Sequence, residues 1–85
     1  MKVWVTVYAL TTGIMERVID PVGGGVAKDM EAPVPTYYHI QGRDWHRTRE
    51  GAVARAEQMR LKKIASLRKQ IAKLEALRFK EESDG

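Results

Sequence analysis

The chain has no cysteine, which excludes a disulfide framework, an iron–sulfur cluster and a thiolate zinc site. Its two histidines, His39 and His46, are too few for an ordinary structural zinc centre. It has no asparagine, and its two serines, Ser66 and Ser83, sit in no nucleophile elbow. The acids are scattered and form no acid/base pair. No catalytic residue, metal or cofactor is therefore expected. No apolar run approaches the roughly 20 residues that span a bilayer. The stretch 3–10 is short, is interrupted by Thr6 and lacks a small-residue cleavage site, so it does not read as a signal peptide. The expectation is a non-enzymatic, cytoplasmic protein of one domain over its 85 residues.

What is present is charge, unevenly placed. Residues 1–50 carry six basic and six acidic groups. Residues 51–80 carry nine basic groups against Glu57 and Glu75, a net +7, and the acidic tail 81–85 adds three acids. A neutral half thus precedes a strongly cationic one, which should prefer anionic partners.

The first half, residues 1–41, reads as sheet. Val3, Val5, Val7 and Ala9 alternate with Trp4, Thr6, Tyr8 and Leu10 at the strand period. Thr11-Thr12-Gly13 supplies a hairpin turn, with Gly13 free to take a positive φ, and Ile14–Asp20 returns as the second strand. Residues 21–33, centred on Gly23-Gly24-Gly25, read as a loop. A third strand, 34–40, is pushed to a sheet edge by Pro33 and Pro35. The fold class expected is α+β: a small antiparallel sheet of about three strands followed by one long C-terminal helix.

That helix is expected over 48–80. Thr48 is a good N-cap, Glu50 suits the positive end of the helix dipole, and no proline interrupts 52–79. Gly51 weakens the first turn by roughly 1 kcal/mol relative to alanine. Such a helix outreaches three short strands. Ile64, Leu67, Ile71 and Leu74 recur at spacings of 3, 4 and 3, with isoleucine at a and leucine at d, the choice that favours a two-stranded coiled coil. Leu61 and Leu77 widen the seam. An exposed stripe of this kind on a small monomer predicts a homodimer or higher homo-oligomer paired through the helix. The alternative is a helix folded back over its own sheet.

Candidate binding residues cluster before the helix. The glycine triplet does not make a phosphate loop, because Lys28 is followed by Asp29 and no helix begins there. Residues 42–49 are richer: Arg43, Arg47 and Arg49, an indole (Trp45) and an imidazole (His46) stand just ahead of a helix N-terminus. Arginine forks match phosphates, an aromatic face can stack a base, and the helix start offers free N–H groups. The plainer reading is that Trp45 plugs the sheet–helix corner while the arginines are solvated. Arg60, inside the apolar stripe, either snorkels or faces a polar cleft. Tyr38, with Trp4, Tyr8 and Tyr37, either stacks a ligand or packs in the sheet.

The hairpin opening Tyr8-Ala9-Leu10-Thr11-Thr12-Gly13-Ile14, the segment from Gly42 to Glu50 and the Lys/Leu-rich helix together resemble small accessory proteins of phages and prophages. Among these, the layout is similar to the anti-Thoeris sponge proteins. The resemblance implies a phage-type inhibitor of bacterial immunity that binds and sequesters a nucleotide signal of the cyclic ADP-ribose type without cleaving it. The runner-up from the residues themselves is a basic-helix protein that binds nucleic acid or a nucleic-acid-bound defence complex. A third reading is a coiled-coil adaptor without any small ligand.

Overall fold

A computed structural model describes residues 1–79, so Lys80 and the acidic tail 81–85 lie outside the described residues. Five strands and one helix follow in order: β1 (Lys2–Val5), β2 (Met15–Gly23), β3 (Val26–Asp29), β4 (Tyr37–Tyr38), β5 (Trp45–His46) and α1 (Arg49–Ala76). The strands form one antiparallel sheet in the order β4-β3-β2-β1-β5, curled into a half-barrel. The α+β class is as expected. The strand count is five rather than three.

Three local causes account for the difference. The first strand stops at Val5 instead of running to Leu10, because Thr6 is drawn out of the ladder. Its N–H donates to the Asp44 carbonyl (2.9 Å) and its hydroxyl to the Arg43 carbonyl (2.8 Å). The Tyr8 carbonyl then gathers the N–H groups of Thr11, Thr12 and Gly13, and Gly13 takes φ +96° to turn the chain into β2. Second, residues 21–33 are not simply a loop. Gly24 and Gly25 adopt φ +62° and +78°, the left-handed pair that a tight hairpin needs, so β2 and β3 join directly. Third, Asp44–His46 returns to the sheet: β5 pairs with β1 through Val5↔Trp45 and Trp4↔His46. The third expected strand shrinks to Tyr37–Tyr38 and occupies an edge, where the N–H groups missing from Pro33 and Pro35 cost no ladder bonds.

Register decides which side chains meet. Val3, Val5, Met15, Ile19, Ala27, Tyr38 and Trp45 share the concave face and make the core. The opposite face of β1 and β5 receives the start of α1. Ala52 is fully buried there, and Gly51 brings the backbone close to His46. A Cβ on Gly51 would lie 3.1 Å from Thr48 Oγ1, the atom that caps the helix by accepting the Gly51 N–H, so glycine here spares the cap. Such a cap contributes about 1 kcal/mol.

The rest of α1 leaves the sheet. Its 28 residues span ~42 Å at 1.5 Å each, and Ala52 is its one buried residue. The radius of gyration is 19.4 Å, whereas a compact domain of this length would have about 12 Å. A helix folded back over its own sheet is therefore not what forms. Among the described residues, no helix is long and apolar enough to cross a membrane.

Candidate binding site

The segment 42–49 is a turn, a two-residue strand and a helix cap. Gly42, at φ +86°, lets the Ile40 carbonyl accept the Arg43 and Asp44 N–H groups (3.2 and 2.7 Å). Asp44 answers by accepting the Ile40 N–H (3.1 Å). Arg43 lays its fork on the same carboxylate, Nε to Oδ1 at 2.9 Å and Nη2 to Oδ2 at 3.3 Å, while remaining exposed. Partial burial would raise the Asp44 pKa; the Arg43 bonds and the Ile40 N–H outweigh it, so the group titrates below its ordinary value. Arg43 is thus engaged within its own turn.

Trp45 is core. Its ring is 1% exposed, and its indole N–H donates to the Gly25 carbonyl at the β2–β3 hairpin (2.9 Å). Trp45, which the sequence offers either as a stacking ring or as a plug, is thus enclosed in the half-barrel. Arg47 caps the ring with its guanidinium 5.7 Å from the centroid and reaches Met1 Sδ at 3.4 Å. Arg47 and Arg49 are exposed, and neither has an acidic partner within 4 Å among the described residues.

His46 is likewise interior, 5% exposed. Its Nε2 lies 2.9 Å from Thr6 Oγ1, which gives its single proton to the Arg43 carbonyl. The threonine oxygen therefore accepts from the ring, which places the imidazole proton on Nε2. Burial pushes the imidazole pKa down, and the nearby Arg55 charge adds to the effect. His46 joins β5, β1 and α1 as a neutral strut rather than as an exposed ligand contact.

Tyr38 is also enclosed. Its hydroxyl donates to Asp29 Oδ2 (2.7 Å), whose carboxylate also accepts Arg17 Nε (2.9 Å), Arg17 Nη2 (3.2 Å) and the N–H groups of Glu31 and Ala32 (2.8 and 3.1 Å). Burial alone would raise the Asp29 pKa; these bonds hold it at about 2. Burial and the same carboxylate push the Tyr38 hydroxyl up to about 12. This cluster escaped the sequence reading because Asp29 fell within the supposed loop. Its one visible signal was Arg17, placed by strand alternation on the face of Met15 and Ile19.

Arg60 is exposed on α1 and paired to Glu57 (Nε–Oε1 2.6 Å), one turn back, so it faces no cleft with the sheet. The structure thus separates the seven candidate residues. Trp45, His46 and Tyr38 are interior, Arg43 and Arg60 are ion-paired, and Arg47 and Arg49 have no acidic partner among the described residues. The expected seam is uncovered: Leu67, Ile71 and Leu74 are 43%, 54% and 69% exposed, and Ile64 is half-buried. Shallow surface depressions of about 630 Å³ follow this helix, lined by Arg60, Leu61, Ile64 and Arg68 on one side and by Ser66, Lys69 and Lys73 on another. Among the described residues no cluster of three His, Asp or Glu side chains is arranged to hold a metal ion.

The fold and these surfaces define a small α+β protein with a projecting basic helix. In comparison with known proteins, the chain matches no protein family, no curated protein and no solved structure.

Proposed function

We propose that the protein is a non-enzymatic, self-associating binding protein whose projecting helix takes a phosphate-rich polyanion, nucleic acid. One observation carries the reading. Beyond residue 60, α1 runs free of the sheet with an Ile/Leu seam on one side and exposed Lys62, Lys63, Arg68, Lys69 and Lys73 around it. A second copy covers the seam. That brings two cationic arms side by side, and a polyanion along both relieves their repulsion. Anisotropy with a fluorescein-labelled 20-base-pair duplex tests it. If about five phosphates are neutralised, affinity falls roughly 500-fold between 50 and 200 mM salt. Absence of binding at 50 mM salt, or an affinity that barely moves, removes the reading.

Arg47 and Arg49 favour a second reading. They stand exposed at the start of α1, where phosphates are readily held, and have no acidic partner among the described residues. In that reading the protein is the phage-type inhibitor that the resemblance implies, sequestering a nucleotide signal of the cyclic ADP-ribose type. With Trp45 enclosed, the arginines carry the binding. Native mass spectrometry of protein purified from cells making such signals should show the retained mass. Arg47→Ala and Arg49→Ala should each release it, and retention by both variants would sink the idea.

A further inference from the structure

Two nitrogen donors near the junction of α1 with the sheet, Trp4 Nε1 and Arg55 Nε, are closed off from solvent and have no hydrogen-bond partner among the described residues. Both belong to side chains around His46. Trp4 faces His46 across the β1–β5 ladder, and Arg55, on the second turn of α1, is close enough for its charge to act on the imidazole. Buried polar groups are almost always paired, so two orphan donors beside one histidine require an explanation.

No acceptor among the described residues lies within hydrogen-bond distance of either donor. The imidazole proton is committed to Thr6; Nδ1 keeps its lone pair but faces the start of the helix, 3.7 Å from where a Cβ on Gly51 would stand, and bonds neither donor. Glu16, the other cross-strand neighbour of Trp4, is drawn to Lys2 at 3.7 Å. Glu57 is held by Arg60, and Glu50 is exposed on the first turn. An indole N–H and a guanidinium N–H only donate, so the missing group is an acceptor, and the guanidinium charge selects an anionic one.

We propose that the junction of β1, β5 and α1 is a binding site for a small oxyanion, a phosphoryl group, held by Trp4 Nε1 and Arg55 Nε. Arg55 is half-buried, at the solvent edge of this junction. The site is separate from the distal helix surface. Should the nucleotide reading hold, one phosphate of that ligand sits here.

The two tryptophans make the test internally controlled. In ¹⁵N-labelled full-length protein, the Trp45 indole N–H is fixed on Gly25 and serves as the reference. Titration with sodium phosphate, against sodium chloride at matched ionic strength, should move the Trp4 indole signal saturably and leave that of Trp45 in place. Arg55→Gln should weaken binding at least tenfold, whereas Arg68→Gln, on the distal helix, should bind like the parent. If Arg55→Gln loses the dispersed Trp45 signal, Arg55→Lys decides instead, since it keeps the charge but lacks Nε; weakened binding supports the site. Tighter binding of AMP than of inorganic phosphate identifies a nucleotide as the source, and equal binding identifies any phosphoryl group. No saturable shift, the same shift with chloride, or parental affinity in the Arg55 variants overturns the proposal. The duplex experiment and this titration fail independently of one another.

Discussion

Replacing Asp29 with asparagine should cost the fold a large share of its stability. The carboxylate is 1% exposed and accepts bonds from Arg17, Tyr38 and two backbone N–H groups. Its pKa of about 2 lies below the ordinary 3.8, a difference worth about 2 kcal/mol at 1.36 kcal/mol per unit. Removing one partner of a buried pair typically costs about 3–5 kcal/mol, reduced here because the Arg17 side chain is 27% exposed. A loss of about 2–4 kcal/mol is therefore expected, against a total of about 4–13 kcal/mol for a chain of this length. A depressed carboxylate stabilises the fold fully above its unfolded pKa. Its contribution declines as pH falls through 4 and is gone below about 2. Asp44 titrates in the same direction, so the informative quantity is the parent minus Asp29→Asn at each pH. Urea unfolding followed by the fluorescence of Trp45, at constant protein concentration, measures it at pH 7, 4 and 2.5. Equal midpoints for parent and variant at pH 7, or a difference independent of pH, would refute the reasoning.

Tyr38, raised to about 12, should make stability fall as pH climbs from 10 to 12, and Tyr38→Phe should abolish that fall. His46 has a lowered pKa, so its contribution is complete above pH 6.5 and lost as pH drops below; the thermal midpoint of the parent should decline from pH 7 to 5, and a flat profile contradicts a neutral buried ring. Thr48→Ala should cost about 1 kcal/mol by the same urea assay, through loss of the bond to the Gly51 N–H. Leu67→Lys with Leu74→Lys should leave folded monomers by light scattering, since both side chains are exposed within one chain; an unchanged oligomer eliminates the helix seam.

The helix was legible because its signals are local. Thr48, Glu50 and an uninterrupted run without proline fix where it begins and that it continues. The sheet was legible only in part. Pro33 and Pro35 announced an edge strand, but three glycines looked like a loop although their positive φ angles close a hairpin. The sequence left the placement of Trp45 open for a related reason. Whether Trp45 is a stacking plate or a core plug depends on Gly25, twenty residues earlier, whose carbonyl takes the indole proton. Composition cannot report that pairing. The Arg17–Asp29–Tyr38 cluster likewise joins residues from three strands, and alternation reveals only the first of them.

Thr6, His46 and Ala52 clasp the root of α1, half-buried Arg55, Ala56, Met59 and Ile64 extend that footing, and from Ala65 to Ala76 every residue is exposed. Mechanically the exposed stretch is a lever about 18 Å long. A tilt of about 10° at its base sweeps the far end through about 3 Å, more than half a helical turn. Packing errors too small to disturb the sheet are thus magnified at the tip, where Ile71 and Leu74 must meet another surface in register. The stiffness of the contacts between His46 and Ile64 consequently sets how accurately the seam beyond them can be aimed.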